Sequence, residues 1–105
     1  MTKKTIMLIC AAGMSTSLLV TKMEQAAKAR GLEADIFAVS AMEADEVFAQ
    51  KESDVLLLGP QVRFMLSEFQ EKLVAKGIPV EVIPMVDYGM MNGEKVLDLA
   101  ESLMK

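Results

Sequence analysis

Two hydrophobic periods alternate along this chain, and that alternation constrains its fold more than any other feature. Thr5 to Cys10 is short, apolar and rich in strand formers. From Ser15 to Arg30 the spacing turns helical: Leu18, Leu19, Met23, Ala26 and Ala27 share one face, and Thr21, Lys22, Gln25 and Lys28 lie largely away from it. Gly31 is placed to stop that helix. Glu33 to Val39 reads as a second strand, weakened by Asp35. Ser40 to Glu43 then has capping-box spacing, with the Ser40 hydroxyl set to accept from the Glu43 amide. A short helix through Val47, Phe48 and Ala49 is expected after it. Asp54 to Leu58 is a third strand, almost wholly apolar, as a strand covered on both faces must be.

Pro60 suits a first helical turn, and Val62, Leu66, Phe69 and Leu73 recur at helical spacing to Lys76. Gly77 and Pro79 end that helix. Val80 to Ile83 is a fourth strand, stopped by Pro84. A loop from Pro84 to Gly93 leads to a last helix, Gly93 to Met104, with Val96, Leu97, Ala100 and Leu103 inward.

Strand and helix thus alternate four times. The expected fold is α/β: a single open four-stranded parallel sheet with right-handed crossovers and helices on both faces. One domain spanning residues 1–105 accounts for the whole chain, with no linker, repeat or low-complexity segment. In a flavodoxin-like strand order of 2-1-3-4, ligands sit beyond the carboxyl ends of the strands, where the order reverses. The turns after Cys10 and Leu58 would then frame one site.

Composition removes several functions. The net charge is −4 and no basic cluster occurs, which argues against a nucleic-acid partner. One cysteine forbids an internal disulfide; with zero histidines it also excludes the common zinc sites, and no metal or cofactor is expected. The same zero removes every Ser-His and Cys-His catalytic pair from the chain. The longest apolar candidate, Ile6 to Val20, is interrupted by Gly13, Ser15, Thr16 and Ser17, so no membrane insertion is expected. Lys3 and Lys4 only faintly mimic a leader. The reading is a soluble, cytoplasmic protein. Among ten methionines most are expected in the core, with Met14, Met65, Met85, Met90 and Met91 available to rim the site.

The turn CAAGMSTS, Cys10 to Ser17, is the chemical signal. Ala11, Ala12 and Gly13 are small, and Gly13 accepts backbone angles closed to other residues. The backbone of Ala11, Ala12, Gly13, Met14, Ser15, Thr16 and Ser17 can therefore curl around an anion with its N–H donors inward. The following helix adds unpaired amides and a positive dipole end, and the three hydroxyls add further donors. The same field favours thiolate at Cys10. A lone cysteine at a strand end is ordinarily a small buried hydrophobe. The glycine-hydroxyl turn and the switch-point position change that reading: Cys10 attacks phosphorus while the loop amides hold the oxygens.

Two stretches, CAAGMSTSLLVTKM and DVLLLGPQVRFML, resemble the IIB component of bacterial sugar phosphotransferase systems, of the lactose, cellobiose and chitobiose class. The resemblance implies a phosphoryl carrier. Cys10 would accept phosphate from a phosphohistidine of a IIA protein and pass it to a sugar, of the β-linked disaccharide type, held by the membrane permease IIC. The missing imidazole then lies on the partner. The turn also resembles that of low-molecular-weight tyrosine phosphatases, which place an arginine where this chain has Thr16 and a hydroxyl where it has Ser17. Without the guanidinium clamp, hydrolysis should be slow. A phosphatase-like enzyme or a non-catalytic phosphate-binding domain are the alternatives. Gln61 and Arg63 fall beside the expected site. Asp87 sits where those phosphatases keep a general acid, but equally suits a turn before Tyr88 and Gly89. Tyr88 is expected to pack or touch a partner.

Overall fold

The computed structural model describes residues 4–10, 14–40, 42–44, 46–47 and 53–104. Four strands form one parallel sheet: β1 (Lys4–Cys10), β2 (Ala34–Ser40), β3 (Val55–Leu58) and β4 (Val80–Val82), in the order β2-β1-β3-β4. The register puts Ile6 beside both Ile36 and Val55, and Ile9 beside both Val39 and Leu58. β1 and β3 are the inner strands, which is why their runs are apolar without alternation.

The helices divide between the two faces. α1 (Met14–Ala29) and α4 (Gly93–Leu103) share a core with Ile6, Leu8, Val55 and Leu57. α2 (Leu66–Val74) covers the other face, where Phe69 and Leu73 meet Met7, Ile9, Leu56 and Leu58. Successive strand residues point to opposite faces, so one run feeds both layers. Each such side chain, fully buried, contributes about 1.5–3 kcal/mol. Leu19, Met23, Ala26 and Ala27 are buried as the helical spacing predicts, whereas Leu18 is 51% exposed. It lies one residue, about 100°, from Leu19, beyond the stripe that reaches the sheet.

Glycine ends two helices. Gly31 (φ 69°) and Gly77 (φ 70°) take the left-handed conformation after α1 and α2. Leu32 N then donates to Ala27 O and Ile78 N to Leu73 O, satisfying carbonyls that the helices leave open.

Three expectations are corrected. The segment from Pro60 is not one helix. It is a 3-10 turn, Pro60–Met65, followed by α2, with Val62 (φ −116°, ψ 22°) leaving helical angles between them. That break buries Val62 and turns Phe64 outward. The stretch after Pro84 is not all loop: Met85–Gly89 forms a short helix, α3. Five residues are too few to show a period in sequence. At Ser40 the hydroxyl bonds the Glu43 carboxylate, Oγ to Oε1 at 2.9 Å, and the Glu43 amide donates instead to Ser40 O. Ala44 and Val47 are helical, whereas Phe48 and Ala49 lie outside the described residues.

Two polar clamps hold the frame. Arg30, at the end of α1, pairs with Asp98 and Glu101 of α4 and donates to Glu94 O. Its pKa is raised, chiefly by the hydrogen bond to Glu101. Asp54 binds Thr5 twice: its amide donates to Thr5 O, and its Oδ2 accepts from Thr5 N, both at 2.8 Å. Asp54→Ala leaves the Thr5 amide without its carboxylate acceptor and should cost about 1–2 kcal/mol, seen as a lower urea midpoint with unchanged slope.

Candidate functional site

The strand order reverses between β1 and β3, and Cys10 is the last residue of β1. The Gly59 amide donates to Ile9 O at 2.8 Å, so the turn after β3 is tied to the residue before Cys10. The Ile83 amide donates to Leu58 O at 2.8 Å and brings the end of β4 to the same level. Three strand ends therefore converge on one rim.

α1 begins at Met14, four positions after Cys10, and its first turn carries no acidic residue. The positive end of its dipole is not cancelled by a side chain within the turn. Ala11, Ala12 and Gly13, and the side chains of Cys10, Met14, Ser15, Thr16 and Ser17, lie outside the described residues.

A groove of about 590 Å³ opens at this rim. Pro60, Gln61, Arg63, Phe64, Met85 and Tyr88 line it, with Gly89 at its end. Its walls come from the 3-10 turn after β3 and from α3 after β4. Tyr88 is 7% exposed and joins the core under α1 and α4 while showing an edge to the groove. Phe64 and Met85 are 78% and 62% exposed. Gly59 makes the close approach possible. A Cβ there would lie 2.9 Å from Gln61 Oε1, 3.4 Å from Ile9 O and 3.6 Å from the Tyr88 ring.

Gln61, Arg63 and Tyr88 are thus brought together. Asp87 lies on α3 but not among the groove-lining residues, and its carbonyl accepts from Asn92 N. Of the methionines expected at the rim, Met85 lines the groove and Met90 is exposed, whereas Met91 packs against the core. Met65 packs with the layer under α2. Gly59 and Phe64 join the site without being among the residues expected there. The available signal for Gly59 was a glycine wedged between a fully apolar strand and Pro60. Phe64 gave none, since only the break at Val62 turns it outward. Among the described residues no group of three or more acidic or sulfur side chains could hold a metal, and no helix is long and apolar enough to cross a membrane.

Residues 5–99 match the family described as "PTS system, Lactose/Cellobiose specific IIB subunit". The chain is 54% identical to the galactose-specific EIIB component of Lactococcus lactis subsp. cremoris and to the cellobiose-specific EIIB component of Lactococcus lactis subsp. lactis, in each case over 99% of both chains. It is 48% identical to the oligo-beta-mannoside-specific EIIB component of Bacillus subtilis, over 96% of both. Among solved structures, the cellobiose-specific phosphotransferase IIB component of Borrelia burgdorferi superposes with a TM-score of 0.78 at 45% identity, covering 98% of this chain and 93% of that one. The lactose-specific IIB domain of Streptococcus pneumoniae gives a TM-score of 0.84 at 16% identity, over 99% of this chain and 100% of that one, a likeness of fold. By the family match over residues 5–99 and by relatives 48–54% identical over nearly their whole length, the chain belongs to the lactose/cellobiose-specific IIB subunit family of the sugar phosphotransferase system and is a phosphotransferase.

Proposed function

We propose that this protein carries a phosphoryl group on Cys10 between a phosphohistidine of a IIA protein and a sugar held by the permease IIC. The observation that carries the reading is the place of Cys10: the last residue of an inner strand, at the strand-order reversal, four positions before a long helix. The Cys10 thiolate attacks phosphorus. An S–P bond forms, the N–P bond breaks, and its electron pair returns to the partner's imidazole. In the second transfer a sugar hydroxyl attacks the same phosphorus: an O–P bond forms, the S–P bond breaks with its electron pair returning to the Cys10 thiolate, and the hydroxyl proton passes to solvent. The amides of residues 11–17 hold the phosphoryl oxygens in both steps. The names of the cellobiose- and oligo-beta-mannoside-specific relatives support a β-linked saccharide as the final acceptor, and that of the equally similar galactose-specific relative supports a monosaccharide as the second reading. Thr16, in place of a clamping arginine, leaves hydrolysis slow, so the phosphocysteine outlives the wait for sugar.

Intact-mass measurement after incubation with a phosphorylated IIA protein tests this. One phosphate adduct per chain, mapped to Cys10, is the expected result. Steady hydrolysis of an aryl phosphate would mark a phosphatase instead, and an adduct elsewhere would overturn the assignment.

Arg63, exposed on the groove rim, meets an acidic patch of the partner. Among the described residues its side chain forms no ion pair. Arg63→Glu should slow transfer from IIA about tenfold at low ionic strength, and less in high salt, because rim charges act on encounter. Stopped-flow transfer rates at two salt concentrations read this directly.

A further inference from the structure

β4 is an edge strand of only three residues, with β3 on one side of it. The Leu56 amide donates to Pro79 O, and the Ile83 amide donates to Leu58 O. Backbone groups alternate in direction along a strand, so residue 81 also faces β3, and the amides and carbonyls of Val80 and Val82 point outward. An open row of this kind is a template for another strand.

Two side chains occupy it. Gln70, on α2, donates its Nε2 to Val80 O at 3.4 Å. Glu81 accepts from Val82 N through Oε1 at 3.1 Å. They reach the edge from opposite faces. Gln70 comes from the layer that buries Phe69 and Leu73. Glu81 is in register with Leu57, which belongs to the other layer.

We infer that Gln70 and Glu81 close the outer edge of β4 against a second copy of this chain. The outer edge of β4 is self-complementary. Two β4 strands meeting antiparallel about a two-fold axis at Glu81 would pair Val80 with Val82 of the other copy. Each pair exchanges two bonds. One joins a Val80 amide to a Val82 carbonyl. The other joins a Val82 amide to a Val80 carbonyl, the very groups that Glu81 and Gln70 engage. The same axis would bring two Glu81 carboxylates face to face, and like charges directly opposite disfavour pairing. One pair of side chains therefore removes half of the bonds and adds repulsion.

The test is self-association of the full chain by sedimentation velocity over a concentration series, with amide spectra recorded alongside. Gln70→Ala/Glu81→Ala should associate at least about tenfold more tightly than the parent, with concentration-dependent shifts at the Val80 and Val82 amides. A folded double variant that stays as monomeric as the parent overturns the inference. So does association whose shifts map to β2. Hydrogen exchange in the parent is independent of how the variant folds. The Val82 amide should exchange more slowly than an open edge amide; exchange at the free-peptide rate also overturns it.

Discussion

Cys10→Ser should take up no phosphoryl group from a phosphorylated IIA protein, with the rate falling by at least about a thousandfold. The size of the loss follows from ionisation. A thiol near its usual pKa of about 8.5 is readily converted to thiolate by a helix N-terminus, whereas a serine hydroxyl stays protonated at neutral pH. The chain has no histidine to act as base for a serine or to take the phosphate itself. The fold should survive, because Cys10 is the last residue of β1 and the core residues Ile6 to Ile9 precede it. Intact mass gives the uptake; far-UV circular dichroism and a urea midpoint within about 1 kcal/mol of the parent show that the sheet is intact. A phosphate adduct at parental level in the serine variant would place the acceptor on another residue.

Among the described glycines, Gly93→Ala should be the most damaging single-methyl change, costing about 3 kcal/mol or more. A Cβ at Gly93 would sit 2.5 Å from the carbonyl carbon of Lys22 and 2.7 Å from its oxygen and Cβ. These are chiefly backbone atoms in the middle of α1, so no rotamer change can relieve the clash. α1 and α4 must separate instead, parting a layer in which Leu19, Met23, Val96 and Leu97 are fully buried. For a domain of this size the loss corresponds to a fall in Tm on the order of 10–20 °C, read by differential scanning calorimetry. The contrast is Gly59→Ala, whose closest neighbour is the far end of the Gln61 side chain. That group can swing away, so stability should change little. A Gly93→Ala protein that melts with the parent would show that the two helices are not held at contact distance.

Much of the frame was legible in the residues because burial on two faces leaves a plain mark. Leu56, Leu57 and Leu58 admit no polar alternation, and only an inner strand tolerates that. Gly31 and Gly77 closed helices where the spacing ran out, and both adopt the left-handed conformation that favours glycine. Short-range detail was less legible. α3 is a single turn whose role appears only when Tyr88 is seen packing under α1 and α4. Met91 takes a positive φ of 54°, unusual for a side chain of its size, where Met91 N donates to Tyr88 O and Asn92 N to Asp87 O. Asn92 also caps α4, its side chain accepting from Lys95 N.

By itself, then, the order of residues determined the four strands, the long helices α1 and α4 and the glycine stops, and that one cysteine stands at a strand end before a stretch rich in small and hydroxyl residues. Those properties are local, set by spacing of a few residues and by backbone preferences. Only the tertiary structure decided that Gly59 and Tyr88 stand beside that strand end, that Gly93 must be bare against Lys22, and that Gln70 and Glu81 meet on one sheet edge. Contacts between residues far apart in the chain depend on how layers pack, and packing is a property of three-dimensional distance that no periodicity along the chain encodes.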